Sequence, residues 1–250
     1  MGNTVNGVIS LLPSLVRLAS GAVVKGHRKE PALPLEFFDG EFCPYCRYVR
    51  EALTELDLDA LVHPVPKGGK RFREPLKALG GKGKVPFLHD PNTGTKLYES
   101  EAIVQYLYKE YGAEGLRPPA RLIYLSLAAT LLRGKKGMFA RPSKAPAKPL
   151  ELYSFEASPF SRLVRETLCE LELPYYLHNV GKGRGRVVDW LPPDVRKNYV
   201  APTEHRQKLI ERSGKMMVPY LIDPNTGVAM FESAEIQRYL IQTYAIDASQ

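Results

Sequence analysis

Cys43 and Cys46 stand as Cys-Pro-Tyr-Cys directly after the apolar run 35–39. A thiol where a strand turns into a helix faces free amides and the positive end of the helix dipole, and Pro44 is preset for the first helical turn. Cys-x-x-Cys thiols in that setting ionise with pKa values of roughly 3.5–7.5. Arg47 adds positive charge one turn on. The chemistry is thiol–disulfide exchange, with Cys43 the nucleophile and Cys46 the resolving thiol. A zinc half-site and two incidental cysteines are the alternatives. For zinc, Cys169 and His27, His63, His89, His178 and His205 offer no second ligand pair.

Two further pieces follow along the chain. Val85-Pro86 has the form of a cis-proline opening a strand, which frees the Val85 N–H and C=O for a peptide-like ligand; an edge-strand proline is the other reading. Glu99-Ser100 precedes a helical pattern. Ser100 suits its N-cap, and the free amides there suit a carboxylate.

All three pieces recur. Pro34-Leu35-Glu36-Phe37-Phe38 returns as Pro149-Leu150-Glu151-Leu152-Tyr153, and Cys43-Pro44-Tyr45-Cys46-Arg47 as Ser158-Pro159-Phe160-Ser161-Arg162. These lie 115 positions apart. Val85-Pro86 returns as Val218-Pro219, Asp90-Pro91-Asn92-Thr93-Gly94 returns unchanged from Asp223, and Glu99-Ser100 returns as Glu232-Ser233, now 133 apart. The second copy therefore holds 18 extra residues between Gly183 and Glu204, among them Trp190-Leu191-Pro192-Pro193.

Each copy reads as β-α-β-α-β-β-α. A strand (Leu35 to Asp39) meets the dithiol turn, and a helix carries Val49, Leu53 and Leu56 on one face. Leu61 to Val65 reads as a second strand, and Asp-Pro-Asn-Thr-Gly is hairpin turn chemistry. The last helix carries Ile103, Tyr106 and Leu107. The expected organisation is a helix and basic tether at 1–33, a first unit at 34–112, a helix with a Pro/Lys-rich linker at 113–148, and a second unit at 149–246. Leu122 to Leu132 reads as the linker's helix, stopped by Gly134.

Three cysteines in 250 residues fit a reducing compartment, and cytoplasmic localisation is expected. The net charge of +8 suggests an anionic partner. Its basic clusters lack interleaved aromatics, which argues against nucleic acid. Val5 to Val24 is apolar with helical spacing, but no basic residue precedes Arg17, so a cleavable signal peptide is not expected. The segment reads as a one-faced helix that packs on the protein or lies on a membrane surface. Cys169 reads as a small buried apolar residue.

Cys-Pro-Tyr-Cys, Val-Pro and Glu-Ser in this order resemble the thioredoxin-like N-terminal domain of glutathione transferases. The dithiol itself is similar to glutaredoxin, and Ser158-Pro159-Phe160 to the serine-type site of tau-class transferases. The whole resembles transferase-like proteins with two tandem N-terminal domains. That resemblance implies an α/β fold of two thioredoxin-like domains, without the usual all-helical C-terminal transferase domain. It implies glutathione as cosubstrate, no metal, a disulfide or electrophile as second substrate, and room for a homodimer. In the first copy, Cys43 takes the reactive position, with Tyr45 beside it. Val85 and Pro86 meet the glutathione backbone, Glu99 and Ser100 hold the γ-glutamyl end, and Lys84 meets the glycyl carboxylate. In the second, Ser158, Phe160, Val218, Pro219, Glu232 and Ser233 match. Met217 replaces Lys84, with Lys182 or Lys215 as substitutes. Glutaredoxins favour threonine where Lys84 stands.

The expected function is a glutathione-dependent thiol–disulfide oxidoreductase or transferase centred on Cys43. The second copy is then a serine-type glutathione site or a degenerate domain. A non-enzymatic glutathione- or peptide-binding module and a membrane-surface docking module are the alternatives.

Overall fold

The computed structural model describes residues 21–118, 135–191 and 199–246. Most of the leader helix expected over Val5 to Val24, the linker helix over Leu122 to Leu132, and Pro192-Pro193 of the insert lie outside the described residues.

The first half runs β1 (Leu35–Asp39), α1 (Pro44–Glu55), β2 (Ala60–Pro64), α2 (Arg73–Gly80), β3 (Phe87–Asp90), β4 (Thr95–Tyr98) and α3 (Ser100–Glu110). The second repeats it as β5 (Leu150–Ser154), α4 (Pro159–Glu170), β6 (Tyr175–Asn179), α5 (Glu204–Ser213), β7 (Tyr220–Asp223), β8 (Val228–Phe231) and α6 (Ser233–Tyr244). The 18-residue insert falls between β6 and α5, and its described residues carry a 3-10 turn, Val187–Trp190.

The sequence pattern accounts for these elements. In β1, Leu35, Phe37 and Phe38 are all buried, as a strand covered on both faces requires. Asp90 caps the Asp-Pro-Asn-Thr-Gly turn by accepting from the Asn92 N–H at 2.8 Å, and Gly94 takes the left-handed conformation at φ +72° that the turn needs. The second copy repeats both features with Asp223, Asn225 and Gly227 (φ +76°).

The eight strands form one mixed sheet in the order β4-β3-β1-β2-β6-β5-β7-β8. Within each half, the first two strands are parallel and the hairpin is antiparallel to them. The halves join edge to edge: β2 and β6 pair antiparallel, with Ala60 opposite Leu177 and Val62 opposite Tyr175. An otherwise open strand edge in each half is thereby closed by the other. One apolar cluster runs through both halves, from Leu35 and Leu53 to Leu152 and Leu168.

Two expectations are revised. The second strand begins at Ala60 rather than Leu61. Ser100 is the first residue of α3 rather than its cap: the cap position is Glu99, at φ +66°, and no side chain caps the helix there. Glu232 repeats this at φ +68°. A left-handed residue at the end of β4 or β8 turns the chain sharply into the helix, which leaves Ser100 buried beneath its own first turn.

Candidate functional site

The strand register assembles the site. Phe38 at the end of β1 pairs with Phe87 at the start of β3, and Phe87 pairs with Tyr98 at the end of β4. Three neighbouring strands thus bring the dithiol turn, Val85-Pro86 and Glu99-Ser100 to one end of the sheet. Tyr153, Tyr220 and Phe231 do the same for the second half. Both Val-Pro peptide bonds are cis, as the sequence suggested.

Cys43 is the N-cap of α1 and accepts from the Cys46 N–H at 3.4 Å, with Pro44 opening the helix. A hydrogen bond from the Cys46 side chain lowers the Cys43 thiol below its ordinary value. Burial opposes it, and so does the Asp39 carboxylate beneath. Cys46 is fully buried, accepts from the Gly40 N–H at 3.4 Å, and is pushed well up by burial and by its neighbour. Proton affinity therefore separates the two thiols, Cys43 being lowered and Cys46 raised. Asp39 is itself raised to about 6, chiefly by burial.

Ser158 occupies the same cap position on α4, accepting from the Ser161 N–H at 3.2 Å. A cavity of about 370 Å³ opens at Ser158 and takes in Val218, Pro219, Glu232 and Ser233. It continues past those residues to Phe155, Lys182 and Met216. Of the two lysines suggested in place of Lys84, Lys182 lines this cavity; Lys215 is exposed and does not. Asp189 of the insert also reaches the cavity. It is fully buried, accepts from the Gly183 N–H at 2.7 Å and pairs with Arg206 at 3.2 Å. Tyr45 and Phe160 remain 43% and 50% exposed beside their turns. Cys169 is buried, and its thiol is raised by that burial.

Behind the two turns lies a set of charges that motif reading missed. Glu41 sits two residues before Cys43 and accepts from Arg165 of the other half at 3.0 and 3.2 Å. Glu156 sits two residues before Ser158 and accepts from Arg50 at 2.8 Å. Arg50 also donates to Asp39 at 2.6 Å. Arg47 differs from its expected role beside the thiolate. It is buried, and its Nε lies 3.2 Å from Glu51 and 3.5 Å from Glu156. Burial alone would raise Glu156, but Arg165, Arg50, Arg47 and Arg162 hold it below the ordinary carboxylate range. The signal was in the repeat: Glu41, Arg47 and Arg50 recur as Glu156, Arg162 and Arg165 at the same 115-residue spacing.

Residues 37–115 and 152–248 each match the family described as "Glutathione S-transferase, N-terminal domain". The chain belongs to this glutathione transferase family. Among its relatives is "Glutathione S-transferase-like protein tpcF" of Aspergillus fumigatus, 43% identical over 60 residues, which are 24% of this chain and 26% of that protein. "Glutathione S-transferase-like protein OpS6" of Beauveria bassiana is 43% identical over 42 residues, 17% of this chain and 19% of that protein. The chain thus spans about a quarter or less of the length of these curated relatives. A solved delta-class glutathione transferase of Nilaparvata lugens is 29% identical over 32% of this chain and 38% of its own, with a TM-score of 0.28. Glutathione is the cosubstrate of this transferase family. Among the described residues, no group of three or more metal-ligating side chains could hold a metal ion.

Proposed function

We propose that this transferase-like protein is a glutathione-dependent thiol–disulfide oxidoreductase, with Cys43 as the residue that accepts the glutathionyl group. The observation that carries the reading is the split between the two thiols of one turn: a lowered Cys43 at the helix N-cap, and a buried Cys46 that keeps its proton. The Cys43 thiolate attacks the glutathionyl sulfur of a mixed disulfide, and the other thiol leaves as its thiolate. A second glutathione thiolate then attacks the Cys43–glutathione disulfide, releasing oxidised glutathione and restoring the Cys43 thiolate. Because the Cys46 thiol is raised, release by glutathione is the expected route and closure to Cys43–Cys46 the slower one.

In this reading residues 34–112 and 149–246 are two tandem thioredoxin-like domains. Val85, Pro86, Glu99, Ser100 and Lys84 hold glutathione in the first, with Tyr45 at its edge. Val218, Pro219, Glu232 and Ser233 hold it in the second, with Phe160 at the edge. The cavity at Ser158 favours a second activity of transferase type. There the hydroxyl donates to a bound glutathione thiolate and lowers its pKa, and Lys182 replaces the missing lysine at Met217.

The test is intact mass after incubation with oxidised glutathione, together with glutathione-disulfide reductase assays. The wild-type chain is expected to gain one reversible glutathione adduct that maps to Cys43. Cys43→Ser is expected to lose both the adduct and at least about a hundredfold of the turnover, since a hydroxyl has no comparable anion at neutral pH. Full activity in Cys43→Ser would overturn the mechanism. Glutathione binding without adduct or turnover would favour a binding module.

A further inference from the structure

Arg50 and Arg165 stand at the same place in the two repeats, seven residues after Cys43 and Ser158. Seven residues make about two helical turns, so each arginine lies on the helix face that begins at its own cap residue. Both are 1% exposed. Burial opposes their charge, but the carboxylates around them outweigh it, so both guanidiniums stay protonated. Charged groups at that depth need a full set of partners, and the identity of those partners is informative.

Each arginine grips both turns. Arg165 meets the Glu41 carboxylate of the first half with two hydrogen bonds, Nε to Oε2 at 3.0 Å and Nη2 to Oε1 at 3.2 Å. On its own side it donates to the Ser154 hydroxyl at 3.1 Å and to the Phe155 and Glu156 carbonyls at 3.4 and 3.3 Å. Arg50 does the converse. It donates to Glu156 of the second half at 2.8 Å, to Asp39 at 2.6 Å and to the Glu41 carbonyl at 3.4 Å. Glu41 leads from the seam to the thiols. It follows Gly40, whose carbonyl accepts from the Cys43 N–H at 2.8 Å and whose N–H donates to the Cys46 Sγ at 3.4 Å. The carboxylate held from the second half is thus next in the chain to the peptide groups that contact both thiol residues.

We propose that Arg165, a residue of the second half, is a positioning residue for Cys43: it fixes the Gly40–Glu41 turn from across the seam, and the dithiol is set for attack only with that grip in place. Arg50 holds the Ser158 turn in return. The proposal rests on the reading of Cys43 as the residue that takes the glutathionyl group. It gives the second half a part in the chemistry of the first, whatever Ser158 itself does. The planar fork of a guanidinium suits this task, because it meets both oxygens of Glu41 and still reaches the backbone of its own turn.

The test follows alkylation of Cys43 by iodoacetamide against pH in the full chain, with peptide mapping to separate it from Cys46 and Cys169. The forms compared are wild type, Arg165→Gln, Glu41→Gln, the double variant, and Arg71→Gln, with melting curves to verify folding. Arg71 also bridges the halves, donating to the Leu171 carbonyl at 3.0 Å and the Ser143 carbonyl at 2.9 Å, and it bonds to neither turn. Arg165→Gln is expected to move the midpoint upward by about one pH unit and to slow alkylation at neutral pH about tenfold. Glu41→Gln is expected to do the same, and the double variant to lose no more than either single, as for two groups that act through one contact. Arg71→Gln is expected to keep the wild-type profile. Where the glutamine variants do not fold, Arg165→Lys keeps the buried charge and is expected to show the same upward move, because an ammonium cannot span both oxygens. A midpoint moved no further by the Arg165 variants than by Arg71→Gln, or losses that add in full in the double variant, would overturn the proposal. An ordinary thiol midpoint in the wild-type chain would instead overturn the Cys43 reading, and the proposal with it.

Discussion

At the scale of single residues, the two halves differ most in four side chains. Cys43 and Cys46 are matched by Ser158 and Ser161, on helices capped in the same way. The largest influence lowering the Cys43 thiol is the Cys46 hydrogen bond, ahead of the backbone amides of Cys46 and Tyr45. Cys46→Ala removes that donor and leaves the helix N-terminus in place. The pH midpoint for alkylation of Cys43 is therefore expected below the ordinary thiol value of about 8.5 in the wild-type chain, and to move upward in Cys46→Ala. A midpoint that Cys46→Ala leaves in place would assign the lowering to the helix terminus alone. The thiol pair, its proline and its place after a strand were all legible in the sequence, because local spacing determines them. The separation of the two thiols by proton affinity was not, because it depends on how deeply each is buried.

At the scale of elements, the recurring Asp-Pro-Asn-Thr-Gly does more than turn the chain. Asn92 donates to the Leu33 carbonyl at 2.9 Å and accepts from the Leu33 N–H at 2.7 Å, which pins the strap just before β1. Asn225 holds Lys148 in the same way before β5. The aspartate of each turn anchors the last helix of its unit. Asp90 accepts from Tyr106 at 2.6 Å and Tyr111 at 2.5 Å, and Asp223 accepts from Tyr239 and Tyr244 at the same distances. Asp90→Ala would leave the buried Tyr111 hydroxyl and the turn amides unpartnered. It is expected to cost about 3 kcal/mol, read as a lower midpoint in urea with the slope unchanged. A loss near zero would mean that water replaces the carboxylate. The turn was plain from its residue types, whereas its grip on the strap was not, because that contact joins segments 59 positions apart in the first half and 77 in the second. Helix α1 taught a similar lesson. Its apolar face is legible in Val49 and Leu53, whereas the burial of Arg47, Arg50 and Glu51 is not. Charges reach such depth only when opposite charges meet them, and here Glu156 of the second half meets both Arg47 and Arg50.

At the scale of the whole molecule, the seam is the feature that spacing could not reveal. An edge strand such as β2 carries no mark of which strand will complete it. Along that seam lie two imidazoles. His178 Nδ1 is 2.5 Å from Asp59 and its Nε2 3.3 Å from Glu151. His205 faces Asp57 at 3.6 Å, Asp59 at 3.5 Å and Glu30 at 3.4 Å, with Lys208 on the same cavity wall. Burial would lower both histidines, but these carboxylates outweigh it and raise each to about 9. A folded-state pKa above the unfolded value of about 6.5 gives stability that is complete below pH 6.5 and is lost as pH rises through about 9. The melting temperature is expected to fall between pH 6.5 and 9.5, and to fall less in the His178→Gln/His205→Gln double variant. Equal slopes in the two proteins would remove these histidines from the account.

The joined β2 and β6 edges carry one more consequence. In a homodimer with a two-fold axis, every substitution appears twice, and neither site can change without the other. Here the two partners are held in one chain, at an effective concentration set by the linker rather than by how much protein is present. Such a pair does not separate on dilution, and each change is made in one partner only. The covalent link thus breaks the symmetry rule that binds two separate copies, and leaves one turn free to keep its thiols while the other exchanges them for hydroxyls.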